Sequence, residues 1–192
     1  MFNVFVPAFA LARRGFLSRS GQAALSATAV ALLAGNEALT RTAAAATTGD
    51  VDILNSALGA EQEAIAAYQV GAESGLLKKP ALDLAVTFQG HHKAHADLLA
   101  STVKKLGGTP GEAKTAADYK FPTDQLKTDA DVLAFAASLE KGAVSAYLGA
   151  IPLFENRDLA KAAGSILGDE AMHWAVLRQA LGDAPVPDAF VA

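Results

Sequence analysis

A glutamate and a histidine stand three residues apart in Glu170-Ala-Met-His173, within a segment whose apolar residues recur at helical spacing. Residues three apart lie on the same face of a helix, so both side chains should point into the apolar core. A carboxylate and an imidazole buried there without partners would be strongly destabilising. The pair therefore predicts a compensating partner, for which a bound metal ion is the natural candidate.

A related pattern occurs in both halves of the chain. Glu61 and Tyr68 are separated by seven residues, and so are Glu140 and Tyr147. Each glutamate belongs to an apolar stripe of helical period. The spacing from the glutamate to the histidine on the following helix is 34 residues in the first half and 33 in the second, ending at His95 and His173. The near-equal spacing indicates an internal duplication of a two-helix hairpin.

The charged residues of both hairpins form one candidate metal site. Its second helix departs from the pattern, since His92 stands where Glu-x-x-His would place a carboxylate. The site thus has three carboxylates and three imidazoles, and the change from glutamate to histidine puts binding of two ions in question. Carboxylate suits iron, manganese and magnesium, and imidazole suits iron and zinc. The predicted ligands are Glu61, His92, His95, Glu140, Glu170 and His173.

Three further residues are assigned to the surroundings of this site. His91 is expected either to support a ligand or to be exposed. Tyr68 and Tyr147 have two readings, as core aromatics or as donors that hydrogen-bond a ligand carboxylate across the bundle. No residue can be assigned a catalytic role from the sequence.

Helical periodicity and breakers predict an all-α fold with four long helices. Their expected bounds are 50–73, 80–106, 129–150 and 157–181. The first two helices and the last two are joined by short links, so each pair should be antiparallel neighbours. The link at 107–128 is long enough to traverse the bundle. A four-helix bundle with one long crossover is the ferritin-like arrangement.

These features resemble the ferritin-like superfamily, in particular its small exported bacterial members. The resemblance covers about residues 50–182. It rests on the crossover, the two tyrosines and the residues Glu61, His95, Glu140, Glu170 and His173. Membership would imply a dinuclear metal centre, usually of iron, and chemistry with dioxygen, peroxide or ferrous ion. By the same resemblance His92 stands where the family usually has glutamate.

The first 46 residues resemble an export signal. Arg13-Arg14-Gly15-Phe16-Leu17 is similar to the twin-arginine signature, a weakly hydrophobic run follows at 23–35, and Ala43–Ala46 offers Ala-x-Ala cleavage sites. We therefore divide the chain into a signal at 1–46 and a bundle domain at 47–192, exported to the periplasm or beyond the cell. An apolar N-terminal helix with a chance arginine pair is the alternative.

Composition narrows the classes of partner. The chain has no cysteine, which excludes disulfides and thiolate ligands, and no apolar run reaches the length of a membrane span. Its net charge of −4 becomes −7 once the signal, with four arginines and one glutamate, is removed. Such an acidic domain argues against nucleic acid as a partner. The oligomeric state stays open, with a homodimer among the alternatives.

Three functions remain compatible with the sequence. The first is an exported metalloprotein that holds two metal ions and oxidises ferrous ion or removes peroxide under stress. Iron is the preferred metal, with manganese or zinc as alternatives. The second is a non-enzymatic structural or stress-associated protein that holds a single ion such as zinc for stability. The third is a metal-free bundle that serves protein interaction.

Overall fold

Four long helices carry the candidate ligands. The structure, a computed structural model, describes residues 48–190. The elements in order are α1 (Thr48–Glu73), α2 (Lys79–Lys105), a short α3 (Ala116–Tyr119), α4 (Asp129–Ala150), a 3-10 turn (Ile151–Leu153) and α5 (Arg157–Leu181). The described part contains no β-strand. The predicted all-α fold is confirmed; α3, inside the predicted crossover, was not foreseen.

The helix ends follow from local sequence. Pro80 lies in the first turn of α2, where its missing N–H costs nothing. Thr128 and Asp131 form a reciprocal capping box at the start of α4. The side chain of Asn156 accepts a hydrogen bond from the backbone N–H of Asp158 and so caps α5. Gly182, at φ 84°, ends α5 in the left-handed conformation that glycine adopts without strain.

Two antiparallel hairpins, α1 with α2 and α4 with α5, associate to form the bundle, with α1 against α4 and α2 against α5. The predicted signal at 1–46 lies outside the described residues. Among those described, no helix is both long and apolar enough to cross a bilayer.

The connection between α2 and α4 runs the length of the bundle. Near its start, the Asn55 side chain of α1 exchanges hydrogen bonds with the backbone of Thr109 and Gly111. At its end, the carboxylate of Asp129 accepts a hydrogen bond from the N–H of Lys78, just before α2. The connection thus begins beside the start of α1 and ends beyond its last turn. The predicted long crossover is confirmed.

Two apolar clusters fill the core, one on each side of the candidate site. One includes Leu58, Leu99, Val103 and Ile166. The other includes Tyr68, Ala85, Phe88, Leu133 and Leu177. Along each long helix, the charged residues lie between the residues of these two clusters. The polar site is therefore enclosed at mid-height of the bundle by side chains that exclude water.

Candidate metal centre

The six predicted ligands meet in the centre of the bundle. Glu170 is 0% exposed, and five of the six are classed as buried; only His95 is partly exposed, with 14% of its side chain accessible. The ligand atoms of these six residues form two groups, and within each group all atoms lie within 4.8 Å of one another. The first group is Glu61, His92, His95 and Glu170, and the second is His92, Glu140, Glu170 and His173.

Glu170 and His92 belong to both groups and lie between the two halves. Glu170 Oε1 is 3.1 Å from His95 Nδ1, while its Oε2 is 3.7 Å from His173 Nδ1. His92 approaches both other carboxylates: its Nδ1 is 2.8 Å from Glu61 Oε2 and its Nε2 is 3.2 Å from Glu140 Oε1. Glu170 and His92 thus connect the two groups of ligands, Glu170 through its carboxylate and His92 through its imidazole.

The two tyrosines are hydrogen-bond donors that cross between the hairpins. The hydroxyl of Tyr147, on α4, donates to Glu61 Oε1 at 2.6 Å. The hydroxyl of Tyr68, on α1, donates to Glu140 Oε1. Each tyrosine therefore orients the glutamate of the opposite hairpin, and the same contact occurs in both directions, as expected for the duplicated hairpin that the sequence indicates. Both readings of Tyr68 and Tyr147 therefore apply, since each ring packs in an apolar cluster while its hydroxyl hydrogen-bonds a carboxylate.

Five buried polar atoms at this site have no hydrogen-bond partner. They are His95 Nδ1, His173 Nδ1, Glu140 Oε2 and both carboxylate oxygens of Glu170. Buried polar groups in proteins are almost always hydrogen-bonded, because an unpaired one retains its full desolvation cost. Here the five atoms approach one another only as ion pairs of 3.1–3.7 Å, without a hydrogen bond. They come from three helices and are ligand atoms of the kind that iron or zinc accepts. The residues therefore fit a bound cation.

In the metal-free site, the buried carboxylates and imidazoles stabilise each other's charged forms. Burial opposes ionisation of Glu61, but the hydrogen bonds from His92 and Tyr147 and the positive charge of the nearby His95 outweigh it and lower the pKa of Glu61 from 4.5 to about 2. Burial likewise opposes protonation of His92, yet hydrogen bonds to Glu140 and Glu61 raise its pKa from 6.5 to about 10.

The other two histidines are also held in the protonated form. Against the opposing effect of burial, the neighbouring carboxylates raise the pKa values of both His95 and His173 to about 9. Burial and the charge of Glu140 raise the pKa of Glu170 above its usual value. Without a metal, protons on the imidazoles thus balance the carboxylates, and a cation that binds here must displace them.

One residue of the site was missed by the sequence reasoning. Asp169 Oδ2 lies 3.0 Å from His91 Nδ1, 3.4 Å from His95 Nε2 and 3.3 Å from His173 Nε2. A carboxylate facing Nε2 favours a proton there, so that once a cation displaces the other proton, the Nδ1 lone pairs of His95 and His173 face the interior. Its position next to Glu170 and four residues before His173 could have identified Asp169 as a site residue from the sequence.

His91 lies outside the buried cluster. Its side chain is 46% exposed, and its Nδ1 is 2.9 Å from His173 Nε2. The sequence left open whether His91 supports a ligand or is exposed, and both descriptions apply. Phe88 completes this side of the site, since its ring stacks on that of His173 with centroids 4.1 Å apart.

Comparison with known proteins agrees with the helical bundle fold. Among curated protein sequences none matches the chain, but a family model described as a ferritin-like domain matches residues 49–183. A crystal structure of a conserved hypothetical protein from Mycobacterium tuberculosis is similar, with a TM-score of 0.64 and 24% identity. The match covers 74% of this chain and 97% of that one, and at this identity it shows the fold alone. The chain belongs to the ferritin-like domain family.

Proposed function

We propose that the protein binds a dinuclear metal centre, with iron as the favoured metal. In this assignment Glu61 and His95 would hold one ion, Glu140 and His173 would hold the other, and Glu170 belongs to both groups of possible ligands. The observation that carries the proposal is the set of five unpaired buried ligand atoms described above. Two bound irons would supply redox chemistry with dioxygen or peroxide, as in ferrous oxidation or peroxide removal under stress.

The chain's own residues have separate tasks in this proposal. Tyr68 and Tyr147 hold one oxygen each of Glu140 and Glu61, so the other oxygen faces the centre. Asp169 keeps the Nδ1 atoms of His95 and His173 directed inward. The apolar clusters above and below exclude water, which strengthens every electrostatic interaction within the site.

Metal analysis of the intact chain tests the assignment. Protein purified from its own host, and protein reconstituted with ferrous ion, should contain two metal ions per chain by elemental analysis. Glu61→Gln should reduce this content, whereas Glu63→Gln, on the same helix but outside both ligand groups, should not. Equal metal content in the two variants would refute the assignment.

The same measurement separates the alternative functions. One zinc ion per chain, with no reaction toward dioxygen or peroxide, would favour a structural site in a non-enzymatic protein. A protein without metal, whose stability does not change on addition of ferrous ion or zinc, would favour a metal-free interaction bundle. Both results would overturn the dinuclear proposal.

We also propose that the protein is exported through recognition of Arg13-Arg14. The support is the order of arginine pair, apolar run and alanine-rich cleavage region within residues 1–46. Replacing both arginines by lysine in the full chain should leave it uncleaved in the cytoplasm. Cell fractionation and N-terminal sequencing would show this, and unchanged processing would contradict it.

A further inference from the structure

A cavity of about 550 Å³ opens between α1 and α4 and extends to the metal centre. Its floor includes Glu61, His92 and Glu140, all three buried. It opens to solvent past Ala60 and Ala146, which are exposed residues of its rim. The cavity therefore reaches buried ligand residues of the candidate centre from this side, while the apolar clusters enclose the centre above and below.

The cavity exists because small residues face each other across the two helices. Alanines 57, 60 and 64 of α1 face alanines 143, 146 and 150 of α4. Side chains of this size leave a space between the helices that larger residues would fill. A row of small residues could equally serve close helix packing, but here the two helices enclose a large volume and a buried carboxylate at its floor.

The size of the cavity exceeds what small oxidants require. A water molecule occupies about 30 Å³ in the liquid, and dioxygen or hydrogen peroxide is of similar size. Sites for small organic ligands commonly measure about 300–1,000 Å³. The volume of 550 Å³ lies within that range.

The lining determines the chemistry of the occupant. The walls are almost entirely apolar, and the charged side chains that line the cavity are Glu61, Glu63, Glu140 and His92. Three carboxylates disfavour an anionic ligand, and apolar walls disfavour a hydrated cation. A neutral, largely apolar molecule matches the walls and can extend to the reactive centre.

We infer that the cavity between α1 and α4 binds a neutral, apolar organic molecule of small size beside the metal centre. This inference names the substrate class of the proposed centre and so rests in part on the proposed function. Apolar molecules would approach between α1 and α4, whereas the polar side chains of His91 and Asp169 lie on the α2 and α5 side.

Fluorine NMR of the full domain with 4-fluorobiphenyl as the probe tests the inference. The probe should bind saturably, with a shifted ¹⁹F resonance, to the metal-free protein and to the protein loaded with Zn²⁺ or Co²⁺. Paramagnetic Co²⁺ should strongly increase the ¹⁹F relaxation rate relative to Zn²⁺, because the cavity reaches the ligand residues. Absence of that increase would overturn the location beside the metal.

Cavity-filling variants provide the matched comparison. Ala143→Phe and, independently, Ala57→Phe should weaken probe binding by at least about tenfold. Ala134→Phe, at an exposed position of the same α4 helix and outside the lining, should leave binding unchanged. Metal content and circular dichroism of each variant verify that the bundle is intact. Unchanged binding in both filled variants would overturn the inference.

The remaining outcomes separate this inference from the proposed function. Two bound metals with no probe binding would overturn the cavity inference and leave the centre standing. Probe binding blocked by Ala143→Phe, in a protein that takes up no metal, would support the ligand cavity and refute the centre. Sedimentation velocity addresses the other occupant: a dimer that dissociates in Ala143→Phe would show that a second copy covers the groove, which would overturn the inference.

Discussion

The hydroxyl of Tyr147 lies 2.6 Å from Oε1 of Glu61, and this hydrogen bond joins the second hairpin to the first inside the core. With its counterpart between Tyr68 and Glu140, it determines which oxygen of each glutamate is left for the centre. The tyrosines therefore link the packing of the hairpins to the orientation of the ligands.

Tyr147→Phe should remove the donor and leave the ring in place. A hydrogen bond to a charged group contributes about 1.5–3 kcal/mol, so the metal-free variant should lose about that much unfolding free energy in urea titration. Metal affinity should fall by about tenfold or more, because Glu61 is no longer oriented. Tyr119→Phe, in the crossover, is the control. Equal stability and affinity for both variants would contradict this role.

Asp169→Asn should weaken metal binding although Asp169 is not a proposed ligand. The amide cannot supply the negative charge that faces His91, His95 and His173, so the proton position on the two ligand imidazoles is less well defined. Loss of such outer support typically reduces metal affinity about 10–100-fold. Isothermal titration with Zn²⁺ or Co²⁺ measures the change. Asp97→Asn, at an exposed position of α2, should behave as the unmodified protein, and an equal effect there would exclude a specific role.

His92→Glu should make the protein more dependent on metal. Protonated His92 lies between Glu61 and Glu140, so a glutamate there replaces a buried cation by an anion. Removal of one partner from a buried ion pair costs about 3–5 kcal/mol, and the metal-free variant should lose at least that much. Addition of Mn²⁺ or Fe²⁺ should raise its Tm more than that of the unmodified protein. Complete loss of metal binding would instead show that the imidazole is required, and His92→Gln separates lost charge from added charge.

The free energy of unfolding of the metal-free protein should reach a maximum at an intermediate pH and fall on both the acidic and the alkaline side. The pKa values of His92, His95 and His173 are raised from 6.5 to about 10, 9 and 9, so their contribution is complete below 6.5 and is lost as pH rises through 9 to 10. The pKa of Glu61 is lowered from 4.5 to about 2, so its contribution is present above 4.5 and is lost as pH falls toward 2. The free energy of unfolding should therefore be greatest between about pH 4.5 and 6.5, where both contributions are complete.

Urea denaturation of chelator-treated protein between about pH 5 and about pH 10 measures the alkaline side of this profile. Metal-loaded protein should lose less stability over the same range, because metal binding has already displaced the imidazole protons. His92→Gln should flatten the metal-free profile. An unchanged slope in that variant would show that His92 is not a source of the dependence.

The sequence alone determined the four long helices and the ligand candidates, because both depend on local spacing. Apolar residues at period 3.6, breakers such as Pro80 and Gly182, and the separation of Glu170 from His173 are features of single segments. Two hairpins of near-equal period then favoured a bundle in which all six candidates meet.

Only the tertiary structure decided how the helices present these residues to one another. The three imidazoles around Asp169, the tyrosine hydroxyls that cross between hairpins and the unpaired atoms of Glu170 depend on distances between segments far apart in sequence. The cavity between α1 and α4 depends on the separation of those helices, which the packing of the whole core determines. Periodicity assigns a residue to a face, but distances across the core arise from all side chains filling it together.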